Sequence, residues 1–281
     1  MDNNNNVSQT AMLIASLRAL ACYEDDPKVR GSDYMAELFL PEDKRIPIKS
    51  AEVRSFIRKA IPEGLYEYVI ARTKYFDGLF LNAMQQQIPQ IVLLGAGYDS
   101  RAYRYAEMIH GTKIIEVDTT GTQQMKRKIL KDNSVEIHPN VRYAEVDFEK
   151  DSWFNSLYDS GYQSTLKTLY LWEGVTFYLS PGSVSSTLSA VRQNSLTGSI
   201  ISFDYQHTDR ENMLIDTGLE DENIKFGLHI HECENYLNKL GYSVIEQVDS
   251  SAMSDRYLVM TDGKKFGEIK SIMNFVAANV R

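Results

Sequence analysis

The chain has 281 residues, 43% of them hydrophobic, enough to fill the core of one α/β domain or of two small ones; one domain with an N-terminal helical cap is expected. With 38 Asp and Glu against 30 Lys and Arg, the net charge of −8 argues against nucleic acid as a partner, because phosphate neutralisation needs clustered cations. Cys22 and Cys233 lie far apart with no metal-ligand spacing, and the apolar stretch AMLIASL, interrupted by Arg18, is too short for a signal peptide or a membrane span; a reduced, cytoplasmic protein with no membrane partner is expected.

The polar run from Asn3 to Asn6 reads as a disordered lead-in. Helical spacing then runs over residues 8–23 (Met12, Leu13, Leu17, Leu20), with Ser8 or Thr10 as cap. A short helix, YMAELFL, ends at Pro41; another covers 53–60, and LYEYVIARTKYFDGLFLNAM follows Pro62. The expected division is a cap over residues 1–62 and a core over 63–281, forming one structural unit. In the core, strands are expected at 90–94, 113–117, 141–146, 168–172, 199–205, 243–248 and 256–260. Their alternation with helices implies a parallel sheet covered on both faces. The basic run KRKILK, Lys126 to Lys131, reads as the solvated face of the helix after the second strand. Residues 206–228 are polar and irregular, and are expected to lie over the substrate pocket, with passive surface as the alternative.

The most informative stretch is IVLLGAGYDSRAYRYAEMI, from Ile91, followed by KIIEVD, ending at Asp118. An apolar strand ending in Gly-Ala-Gly, a helical segment and a second apolar run ending in acid form a Rossmann-type βαβ unit for a nucleoside ligand. Gly95 and Gly97 allow close backbone approach, and the Asp118 carboxylate suits both hydroxyls of a ribose. Dinucleotide sites want a third glycine, and Ser100 stands there, preceded by Asp99. An acid at this turn disfavours a pyrophosphate, which prefers bare helix N–H groups. A ligand without phosphate suits the loop better.

These residues carry a resemblance. With SQTAMLIASLRAL near the start, RTKYFDGLF from Arg72, QIVLLGAGYDSRAYR from Gln90, EVD at Glu116, VDF at Val146, EGVTFYLS from Glu173 and FGLHIHECENYLNKLGYSV towards the end, the chain resembles the leucine carboxyl methyltransferase family, in its bacterial branch of O-methyltransferases dependent on S-adenosylmethionine (SAM). The resemblance implies the class I methyltransferase fold, a Rossmann-like seven-stranded sheet whose last two strands form an antiparallel hairpin, here 243–248 with 256–260. It also implies SAM as cofactor. Arg72 would meet the SAM carboxylate, Asp147 and Phe148 the adenine, and Glu173 the amino-acid part.

Chemistry read from the residues themselves agrees in places and leaves others open. An Arg fork binds carboxylates in bidentate fashion, although a surface helix arginine would look the same. Asp77 is expected to fix the helix or pair with Arg72. Glu116, on the same side of its strand as Asp118, either assists or is a polar strand residue. Asp118 and Asp147 are also compatible with helix caps. Glu173 ends an apolar strand, where an unpaired carboxylate costs several kcal/mol, so a cation should meet it. The five histidines form no metal set with nearby acids or cysteines, so no metal is expected; His229 and His231 read as structural or surface residues. His207 follows the fifth strand and is the candidate base if one is needed. A carboxylate acceptor needs none, whereas a phenol, with pKa about 10, does. The expected activity is O-methylation of a carboxylate or acidic hydroxyl on a small molecule of secondary metabolism. Alternatives are methylation of a protein C-terminus, a nicotinamide-dependent oxidoreductase on a similar βαβ unit, and a noncatalytic SAM sensor.

Overall fold

The computed structural model describes residues 9–146, 153–208 and 224–281. Asp147, Phe148, Asn3 to Asn6 and most of the 206–228 segment therefore lie outside the described residues. Before the first strand come α1 (Gln9–Ala21), α2 (Glu42–Arg45), α3 (Ala51–Ala60) and α4 (Leu65–Gln85). Ser50 caps α3, its hydroxyl accepting from Val53 N–H at 3.4 Å. Then follow β1 (Gln90–Leu94), α5 (Arg101–Arg104), β2 (Lys113–Asp118), α6 (Thr120–Asp132), β3 (Val141–Glu145), α7 (Trp153–Asp159) and β4 (Thr168–Trp172). The chain continues through α8 (Pro181–Gln193), β5 (Ile200–His207), β6 (Gly227–Leu228), α9 (Ile230–Lys239), β7 (Tyr242–Asp249), α10 (Ser250–Tyr257) and β8 (Met273–Val280).

The strand order is β3-β2-β1-β4-β5-β8-β7, with β6 pairing parallel to the end of β5. β3 to β5 are parallel, whereas β8 runs antiparallel to both β5 and β7. Buried along their whole length, β1 and β4 read as unbroken apolar runs because both faces are covered. Ile91, Leu93, Leu169 and Leu171 face a core shared with α1, α4 and α10, while Val92, Leu94, Tyr170 and Trp172 face one built with α7, α8 and α9. Leu17 and Leu20 of α1, with Phe39 and Ile48, belong to the first of these cores. The cap thus shares its core with the sheet.

One expected strand is corrected. Residues 256–260 do not pair with β7; the antiparallel partner is β8. The Asp249 carboxylate accepts from Ala252 N–H at 2.8 Å and starts α10, and Met253 and Leu258 are buried against the α4 side. Val259 keeps a single bridge, to Lys265. MNFVAANV is not among the expected strands, and its Ala and Asn residues have low β propensity. Its position between two strands, nearly all buried, overrides that preference.

Candidate active site

A cleft of about 330 Å³ opens at the carboxyl ends of β1 and β4, between which the chain changes direction across the sheet. Its floor is the loop from Gly95 to Asp99. Gly97 has φ +40°, and a Cβ there would point into open space, its nearest neighbours 3.9 Å away. At Gly95, φ +67°, a Cβ would come within 2.6 Å of a Val175 methyl. Gly97 is bare where a ligand would lie against the backbone, and Gly95 is bare because Val175 packs against it. Thr10, Ala11, Ile14 and Arg18 of α1 line the cleft from the cap side.

Asp118 ends β2 at one side of the cleft. One carboxylate oxygen accepts the Gly97 N–H at 2.6 Å and the other the Thr119 N–H at 2.7 Å. The Thr122 hydroxyl also approaches this carboxylate, whose remaining acceptor capacity suits the hydroxyls of a ribose. Burial pushes its pKa above the usual carboxylate value, against the pull of those two backbone donors.

Glu173 and Arg72 stand together at the other side. Glu173 Oε1 lies 3.0 Å from Arg72 Nε, and Oε2 accepts from Arg101 Nη1 at 2.7 Å. The carboxylate that sequence reasoning left seeking a cation therefore has two guanidiniums. Arg101 also binds Asp77 at 2.7 Å and Asp99 at 2.6 Å, and Arg104 binds Asp77 at 2.9 Å. Arg104 also lies 3.4 Å from Asp33, which pairs with Arg18 at 3.3 Å. Beyond Arg72, the path ends at Asp204 of β5, 3.7 Å away. Four arginines (Arg18, Arg72, Arg101, Arg104) thus alternate with five carboxylates (Asp33, Asp77, Asp99, Glu173, Asp204). The excess carboxylate suits a ligand with net positive charge. A neighbouring guanidinium and carboxylate on the cleft wall suit the carboxylate and ammonium of an amino acid, so these residues fit SAM.

Several expectations shift on contact with this geometry. Asp77 pairs with Arg101 and Arg104, not with Arg72. Asp99 does not project a free charge at the glycine turn, since Arg101 holds its carboxylate and donates its own N–H to it at 2.8 Å. Ser100 donates to Asp33 at 2.5 Å and accepts from Arg104 at 2.7 Å, so the residue in the third-glycine place ties the loop to the cap. Glu116 is buried and bound to Lys126 Nζ at 2.7 Å, which removes Lys126 from the solvated basic face assigned to it.

The cleft brings together Arg72, Gly95, Gly97, Asp118 and Glu173. It does not include His207, which lines a separate cavity with Asp249, Ser250 and Lys265 and whose Nδ1 accepts the Ile230 N–H at 3.1 Å. His229 caps α9, its Nδ1 accepting from His231 N–H at 3.3 Å. No cluster of metal ligands occurs among the described residues. Of the segment expected over the pocket, the described end brings Lys225 to the cleft. The N–H groups of Lys225 and Phe226 both donate to Phe177 O, at 2.7 and 3.2 Å, which sets Lys225 beside the turn that carries Tyr178. Sequence reasoning missed Lys225, Arg18, Arg101 and Asp204. Asp204 and Arg18 gave a local signal, each a charge inside an apolar run, ISFDY and AMLIASLRAL.

The family profile for leucine carboxyl methyltransferase matches residues 11–192. The chain is similar to YktD of Bacillus subtilis (strain 168), provisionally named a SAM-dependent methyltransferase, with 27% identity over 281 residues, 90% of this chain and 92% of the relative. SCO7813 of Streptomyces coelicolor (strain ATCC BAA-471 / A3(2) / M145), named in the same provisional way, is 31% identical over 196 residues, 68% of this chain and 66% of its own length. A provisionally named methyltransferase from Thermobifida fusca YX shares the fold, with a TM-score of 0.59 at 17% identity over 100% of this chain and 97% of that one. With SAM-type residues converging at the sheet's switch point and the family match spanning both cap and glycine loop, the chain belongs to the leucine carboxyl methyltransferase family and is a SAM-dependent methyltransferase.

Proposed function

We propose that the enzyme methylates a carboxylate oxygen of a small organic acid, with neither nucleic acid nor membrane as partner. The observation that carries this reading is Lys225. Of the cations lining the cleft, Arg18 is committed to Asp33 and Arg72 to Glu173 and Asp204, whereas Lys225 is exposed and has no carboxylate partner among the described residues. A cation so placed favours an anionic acceptor. No histidine lines the cleft among the described residues, and its carboxylates are engaged by arginines or backbone N–H groups, which agrees with an acceptor that needs no deprotonation.

SAM, when bound, supplies a methyl group on a sulfonium whose departure already drives an in-line displacement. The chain's task is then alignment. Asp118 and the Gly95 to Gly97 backbone fix one end of the ligand, Arg72 and Glu173 the other, and α1 lines the cleft from the cap side. Holding the acceptor oxygen at a near-attack distance contributes on the order of 7 to 11 kcal/mol. An O–C bond forms as the C–S bond breaks, and no proton is released when the acceptor is already a carboxylate.

The test is incubation of the enzyme with deuterated-methyl SAM, a metabolite extract and a panel of small carboxylic acids, each beside its amide. The expected product is a labelled methyl ester that mild alkali hydrolyses. Lys225→Ala should raise the acceptor KM by about tenfold, the effect of losing one charge-assisted contact, and leave the SAM dissociation constant unchanged. A base-stable methyl ether or methylamine, formed equally well by Lys225→Ala, would sink the reading.

A further inference from the structure

We propose that Asp204, on β5 and behind the cleft wall, is a positioning residue for the amino-acid end of the cofactor site, acting through Arg72 and the turn after β4. Its side chain is fully buried. One carboxylate oxygen accepts the Gly174 N–H at 2.7 Å; the other accepts the Tyr68 hydroxyl and faces Arg72 Nη1 at 3.7 Å. The backbone carbonyl of Asp204 accepts the Thr176 hydroxyl, so a single residue anchors both Gly174 and Thr176.

The turn and the guanidinium leave each other no spare room. Gly174 has φ +70°, and a Cβ there would lie 2.8 Å from Arg72 Nη1. From the other side, the Tyr68 ring lies 5.0 Å from Arg72 Cζ, and its hydroxyl accepts from Arg72 Nη1 at 3.3 Å. Arg72 is thus shared between two carboxylates, Glu173 on the cleft side and Asp204 behind it. Sharing has a chemical consequence. If Asp204 loses its charge, Arg72 turns wholly to Glu173, and the closed pair competes with the ammonium that Glu173 should receive. Burial, with Glu173 nearby, pushes the Asp204 pKa up, while Arg72, Tyr68 and the Gly174 N–H pull it down, so its charge depends on those partners.

Two variants test this by calorimetric titration with SAM, with its demethylated product S-adenosylhomocysteine and with 5′-methylthioadenosine, which lacks the amino-acid part. Asp204→Asn keeps the shape and removes the charge; Tyr68→Phe keeps the ring that packs on Phe275 and removes only the hydroxyl. Asp204→Asn should weaken SAM and S-adenosylhomocysteine about tenfold or more, as expected for disturbing one charge-assisted contact. Affinity for 5′-methylthioadenosine should stay within about twofold, a change near the spread for sites outside the contact. Tyr68→Phe should show the same selectivity at smaller size. A general loss of structure would weaken all three ligands in parallel, and that outcome, or no loss of SAM affinity, would overturn the proposal. If Asp204→Asn does not fold, the ratio measured on Tyr68→Phe decides alone.

Discussion

Asp118 shows how much a single side chain in this site is asked to do. In the role proposed for it, it must stay ionised to accept ligand hydroxyls, yet burial raises its pKa. Replacement by alanine removes the acceptor for each hydroxyl at about 1.5 to 3 kcal/mol per charge-assisted bond, less where water substitutes. It also frees the Gly97 N–H that Asp118 holds. SAM affinity in the native enzyme should fall as pH drops through the raised Asp118 pKa, because the ligand selects the ionised form and the neutral carboxyl accepts fewer bonds. The decline should therefore begin above the ordinary carboxylate range. Titration calorimetry from pH 7 to pH 4 checks both expectations, and a folded Asp118→Ala variant with unchanged affinity would remove Asp118 from the site.

At the scale of the element, α1 is the part of the cap most directly joined to the chemistry. Arg18 donates to Tyr98 O at 2.9 Å and pairs with Asp33, fastening the helix to the glycine loop across the cleft. Arg18→Ala leaves a buried carboxylate with less compensation, a change that costs about 3 to 5 kcal/mol when no other partner remains. Here Ser100 and Arg104 still reach Asp33, so the loss should be smaller. Faster hydrogen exchange along residues 9–21 and a faster SAM off-rate are expected; unchanged exchange in α1 would show that its packing alone holds it. The legibility of the sequence also divides at this scale. Gly95, Gly97, Asp118 and Glu173 were readable because a strand end, a turn glycine and an acid are local grammar. Pairings that join distant segments were not: Tyr68 to Asp204 spans 136 positions, Arg101 to Glu173 spans 72, and neither leaves a periodic trace. The same limit explains β8, whose Ala and Asn residues form a strand only because two neighbours enclose it.

Across the whole molecule, the arginine and carboxylate path ties cap, glycine loop and sheet into one electrostatic unit, with Asp77 near its centre. Burial alone would raise the Asp77 pKa, but Arg101 and Arg104 hold it well below the ordinary 3.8. A carboxylate whose native pKa is depressed binds fewer protons folded than unfolded. Its stabilisation is complete above the unfolded value and is lost as pH falls from there through the native one. Asp77→Asn takes one partner from each of two buried guanidiniums, a change that costs about 3 to 5 kcal/mol when no other partner remains. Arg101 keeps Asp99 and Glu173 and Arg104 keeps Asp33, so the loss near neutrality should be smaller, yet still a sizeable share of the roughly 5 to 15 kcal/mol typical of a folded chain. In urea unfolding, the gap between the native enzyme and the variant should hold from pH 7 to about 5 and narrow below about 4. A gap independent of pH would mean that shape, and not charge, is what Asp77 supplies.

The placing of β8 between β5 and β7 has a consequence for how the protein is made. β8 leaves the ribosome after both β5 and β7, yet each of them hydrogen-bonds to it. During synthesis β5 therefore presents an open edge, and β7 waits without the neighbour it pairs with in the finished sheet. Such edges recruit strands from other chains. A translation pause or a nonsense codon before residue 273 should release not a slightly shortened enzyme but a sticky open sheet with β7 detached, destined for chaperones or inclusion bodies.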